Sequence, residues 1–129
     1  MSQTPSLIDV DRPLTADERS VVEWLLRHGE GDNSEFLAQL AQARVCRLCS
    51  CGCASIDFSI NGKRPTHPSL RVLSDYQWRS GLGHLYGAFV FEQDGLLAGL
   101  DLYSIDGQGI PDAMPPIGSL VPYGTPSQV

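Results

Sequence analysis

All four cysteines of this chain fall in one run, Cys46-Arg47-Leu48-Cys49-Ser50-Cys51-Gly52-Cys53, spaced C-x2-C-x-C-x-C. Three chemistries compete for it. The first is metal binding. Zinc takes thiolates at about 2.3 Å in a tetrahedron, so a site on Cys46, Cys49, Cys51 and Cys53 needs a tightly wrapped loop. In a regular strand alternate Cα atoms lie roughly 6.5–7 Å apart, and a bulge at Gly52 would have to supply the convergence. No second cysteine pair follows. His28, His67 or His84 could replace a ligand, but none belongs to an H-x3–5-H pair. The second chemistry is redox. Cys46 and Cys49 form C-x-x-C beside Arg47, a cation able to activate a thiol, but the βαβ context of thioredoxin-type sites is missing. The third reading is packing. Cys49, Cys51 and Cys53 alternate with Ser50 and Gly52 and would form the inward face of a strand, since free cysteine behaves as a small hydrophobe. Packing is the favoured reading, because cysteine ranks among the most often buried residues.

Other constellations are weaker. Gly81-Leu82-Gly83 followed by Gly87 misses G-x-G-x-x-G, because Tyr86 holds the third glycine position. No Walker sequence, G-x-S-x-G elbow or H-E-x-x-H occurs. Asp57 and Asp101 sit in alternating patterns and are expected on a wet sheet face. His84, beside a glycine turn, is the histidine with most claim to a ligand or catalytic site, and Arg64 and Asp101 would be its partners if the fold joins them. Trp24, Trp78 and Tyr103 fit core packing better than interface anchoring.

The elements that must hold these residues follow from periodicity. Thr15-Ala16-Asp17-Glu18 has the capping-box form. Val21, Val22, Leu25 and Leu26 then recur at helical spacing with Trp24 at the edge, and His28-Gly29 predicts the end, with Gly29 as a left-handed cap. Asp32 to Glu35 start a second helix whose stripe is Phe36, Leu37, Leu40 and Ala41. The short connection predicts an αα-hairpin. Period two follows: residues 45–53, then Ile56, Phe58 and Ile60, then Leu70 to Trp78, and finally the strong strands 85–92 and 96–103 around the turn Gln93-Asp94-Gly95. The expected fold is α+β, with the αα-hairpin on one face of a roughly five-stranded antiparallel sheet. Residues 1–13 are expected as a flexible lead-in, 14–105 as the domain, and the Pro/Gly-rich residues 106–129 as a partly docked tail.

With 129 residues the chain fits one domain. Its net charge of −6 argues against nucleic acid as partner. The charge is uneven. Residues 44–79 hold six basic groups against two acids, a local +4, whereas the rest holds three against 13, or −10. Self-complementarity explains this more simply than a basic face awaiting a partner. No apolar run is long enough to span a bilayer, and MSQTPSLIDV lacks the features of a signal peptide, so the expected location is cytoplasmic with no membrane partner.

The run Cys49-Ser50-Cys51-Gly52-Cys53-Ala54-Ser55-Ile56-Asp57, after Arg44-Val45, resembles a family of small uncharacterised bacterial cytosolic proteins sharing C-x-C-G-C-x-S-I-D. Leu14-Thr-Ala-Asp-Glu-Arg19, and Leu100-Asp101-Leu102-Tyr103 with Asp106-Gly107, extend the resemblance; Ala54 stands where a proline is common. The resemblance implies a stand-alone cytosolic domain and carries no catalytic residue with it. The sequence expectation is a non-enzymatic domain working through protein contacts or self-association. The alternatives are a zinc module on the cysteine run and a small ligand-binding or enzymatic domain near His84.

Overall fold

The computed structural model describes residues 7–66 and 69–126; His67 lies outside them. Helix α1 (Ala16–Arg27) starts where the capping box requires. The Thr15 hydroxyl accepts the Glu18 amide at 3.1 Å, and the Glu18 carboxylate accepts the Thr15 amide at 2.8 Å. Val21, Val22, Leu25 and Leu26 are buried. His28 caps the other end, its Nδ1 lying 2.8 Å from the Trp24 carbonyl. Gly29 departs from expectation, since it is absent from the positive-φ glycines. Its need is for space: a Cβ there would stand 2.3 Å from the Leu73 carbonyl, so the loop lies directly on the sheet.

Helix α2 (Ser34–Leu40) buries Phe36 and Leu40. Asn33 turns its amide inward to the Leu26 carbonyl at 3.0 Å, and the first-turn bond comes from Asp32, which accepts the Ser34 amide at 2.9 Å. The expected hairpin is not what the two helices show. The second is only seven residues long and packs on the sheet as well as on α1. Gln39 fixes it there by accepting the Leu97 amide at 2.7 Å and donating to the Gly95 carbonyl at 2.9 Å.

Among the described residues the sheet has seven antiparallel strands rather than five: β1 (Leu7–Pro13), β2 (Ala43–Cys49), β3 (Ile56–Ile60), β4 (Arg71–Arg79), β5 (Leu85–Gln93), β6 (Leu96–Ser104) and β7 (Val121–Pro122). Their order is β1-β2-β3-β6-β5-β4-β7. The added strands are the two edges, drawn from the lead-in and from the tail. Both carry proline, which edges tolerate because one side of the strand needs no ladder donor. The β5–β6 turn uses Asp94 at φ 56° and Gly95 at φ 75°, the paired positive values of a tight hairpin.

Two three-stranded meanders, β1-β2-β3 and β4-β5-β6, therefore meet at β3 and β6. That seam is short: Ile56 pairs with Leu100 and Asp57 with Gly99. On one face Ile56, Phe58, Ala88, Val90, Leu100 and Leu102 join the helix stripes in the core. Alternation sends Asp57, Phe89, Asp101 and Tyr103 to the other face. No described helix is long and apolar enough to cross a membrane.

Candidate metal centre

Strand β2 ends at Cys49, and the chain turns through Ser50 to Gly52. Gly52 sits at φ 97°, a value that L side chains rarely adopt. The turn replaces the expected continuous strand, so the three cysteines do not form an inward face. Cys51 is exposed, Cys49 and Cys53 are half-buried, and only Cys46 fits the packing reading, at 3% exposure.

What the turn does is converge sulfurs. Cys49 Sγ and Cys51 Sγ are 2.9 Å apart, as are Cys51 Sγ and Cys53 Sγ. All three lie within 4.8 Å of one another, and they form the one such group of potential ligands among the described residues. The Cys51 amide donates to Cys49 Sγ at 3.5 Å and the Cys53 amide to Cys51 Sγ at 3.3 Å, which sets the side-chain directions. Tetrahedral zinc with bonds of about 2.3 Å would hold its sulfurs about 3.8 Å apart, so the triad must open slightly around an ion.

Cys46 stands outside this group. Burial pushes its thiol up, against the nearby Arg64 and Arg47, which works against Cys46 as the activated thiol of a redox pair. Neither His28 nor His84 joins the sulfurs. His28 stacks on Trp24 at 3.9 Å, and His84 lies beside Tyr86 at 6.1 Å between ring centroids.

Two of the three, Cys49 and Cys53, open on a cleft of about 130 Å³ lined also by Arg47, Ser55, Asp57 and Asp101, among others. Ser55 connects them. Its Oγ lies 3.4 Å from Cys53 Sγ and 3.0 Å from Asp101 Oδ1. Asp57 and Asp101 are not simply wet. Burial raises both above the usual carboxylate range, although Arg47 opposes the shift for Asp57 and Ser55 for Asp101. Arg47 Nε stands 3.4 Å from Asp57 Oδ2, an ion pair that lacks hydrogen-bond geometry. Spacing alone could not place these acids in the cysteine cleft, since β3 and β6 are far apart in sequence. His84 and Arg64 do not line it.

Three arginines of the basic segment pair with acids outside it, and a fourth pairs within it. Arg44 pairs with Asp11 at 2.6 Å, Arg64 with Asp9 at 3.8 Å and Arg71 with Glu92 at 3.7 Å, in addition to Arg47 with Asp57. The acids that answer these arginines lie on β1, β3 and β5, not on the helices, so the expected pairing of an acidic helical part with a basic sheet part is not what these ion pairs show.

The fold and site define an α+β domain carrying a cluster of three cysteine sulfurs on a glycine turn at the end of an antiparallel strand. Comparison with protein-family models, curated proteins and solved structures finds no match to the chain.

Proposed function

We propose that the chain is a small metal-binding domain that holds one zinc ion on Cys49, Cys51 and Cys53. The observation that carries this reading is the convergence of three accessible sulfurs within 4.8 Å. Soft thiolates suit zinc and copper(I), and three protein ligands leave one position of a zinc tetrahedron for water or a partner's group. The cysteine run that carries the family resemblance supplies the whole ligand set. This departs from the four-cysteine set by leaving Cys46 as core.

The test is metal analysis of untagged, reduced protein equilibrated with zinc and dialysed. One zinc per chain is expected, lost in Cys49→Ser, Cys51→Ser and Cys53→Ser and kept in Cys46→Ala. Failure of the wild type to retain zinc overturns the reading. Stoichiometric copper(I) without zinc overturns the choice of ion. Protein contact is the second reading, favoured by the sheet face that neither α1 nor α2 covers.

A further inference from the structure

The helix-free face of the sheet has its own order, set by register. Asp75, Phe89 and Asp101 face one another across β4, β5 and β6. The next row is Gln77, Gly87 and Tyr103, and on the other side Phe91 opposes Gly99. The two glycines leave room that aromatic rings fill. A Cβ on Gly87 would stand 2.3 Å from Tyr103 Cζ, and one on Gly99 would stand 2.8 Å from Phe91 Cζ. Phe91 and Tyr103 therefore lie over the sheet on either side of Phe89, with ring centroids 5.7 and 5.8 Å away.

This makes an aromatic strip with a carboxylate on each flank of Phe89. These groups are half-buried, yet none of the three rings belongs to the core cluster. Burial raises both Asp75 and Asp101. The Tyr103 hydroxyl faces Asp75, and Asp75 Oδ1 is buried without a hydrogen-bond donor. No ion pair among the described residues reaches Asp75 or Asp101. Desolvated carboxylates without a cation are costly, and a cation seated on this face would offset that cost.

The spacing selects the cation. Asp75 and Asp101 stand two strands apart, about 9–10 Å at the backbone, too far to share a metal ion. A planar guanidinium can stack on Phe89 and direct donors from its edges towards both carboxylates. We propose that this strip docks an arginine side chain presented by a basic segment of a partner protein. The inference rests on the open face, and Asp101 also borders the cysteine cleft through Ser55.

The experiment is amide NMR titration of the full chain with the capped peptide Gly-Arg-Gly-Arg-Gly, alongside matched lysine and citrulline peptides. Saturable shifts are expected at residues 75, 89, 101 and 103. Binding should weaken severalfold with lysine and vanish with citrulline, which keeps the shape and loses the charge. The double variant Asp75→Asn/Asp101→Asn should fold, since it removes desolvated charge, and should bind roughly tenfold or more weakly. Phe89→Ala should weaken binding with both carboxylates retained. Shifts that do not saturate, that map elsewhere, or that persist with citrulline or in the double variant would overturn the proposal. So would a concentration-dependent dimer that buries this face.

Discussion

The Ser55 hydroxyl accepts the Leu102 amide proton at 2.8 Å and lies 3.1 Å from the Leu102 carbonyl. It thereby continues the β3–β6 seam one step beyond its last backbone pair. A hydroxyl has a single proton, which it donates either to that carbonyl or to Asp101. One side chain thus closes the short joint between two half-sheets and borders the cysteine cleft.

Ser55→Ala leaves the Leu102 amide without its acceptor in a buried strand. The expected loss is about 1–3 kcal/mol, read from urea unfolding. Ser55→Thr, which keeps the hydroxyl, should recover most of it. An alanine variant as stable as wild type would mean that the seam is held by other contacts.

Arg12 clamps β1 to the start of α1 through two 2.9 Å bonds, one to each Glu18 oxygen. Burial alone would raise Glu18, but the bonds from Arg12 and the Thr15 amide outweigh it and lower its pKa. A lowered carboxylate stabilises the fold above its unfolded pKa and loses that contribution as pH falls through its folded pKa. Glu18→Gln should cost roughly 1.5–3 kcal/mol at pH 7, and the gap to wild type should close in acid. A gap that stays constant down to pH 2 would exclude the ion pair as its cause.

Asp101 has the opposite sign. Its pKa is raised mainly by burial, so its contribution is present below the unfolded pKa and is lost as pH rises through the folded one. Asp101→Asn should therefore stabilise the isolated protein at pH 7, by roughly 0.5–2 kcal/mol, with the advantage shrinking towards pH 4. Thermal unfolding across that range reads it, and a destabilised variant at pH 7 would contradict the assigned desolvation.

What the sequence made legible was local. The capping box at Thr15, the alternation of Ile56, Phe58 and Ile60, and the Asp94-Gly95 turn each act within a few residues, and each is where spacing places it. The edge strands were hidden because edges carry little hydrophobic signal. β1 holds Asp9, Asp11 and Pro13 and is interrupted by a register shift between Asp9 and Arg12. The cysteine run misled for a subtler reason. Its alternation is real, but Gly52 at φ 97° turns the chain before the alternation can act as a strand. Asp57 and Asp101 looked solvated because the seam that sets them on one cleft joins strands distant in sequence.

The separation of Cys46 from the other three thiols gives the last prediction. Cys46 lies in β2 at 3% exposure, and burial raises its pKa; Cys51 is exposed and its two neighbours are half-buried. In reduced, chelator-treated protein, a chromogenic disulfide reagent should consume three thiols rapidly. The fourth should react at least about a hundredfold more slowly, through opening of the sheet. Cys46→Ala should abolish the slow phase and leave the fast amplitude intact. Four fast thiols would place Cys46 at the surface, and a single fast thiol would mean that two triad sulfurs were already joined to each other.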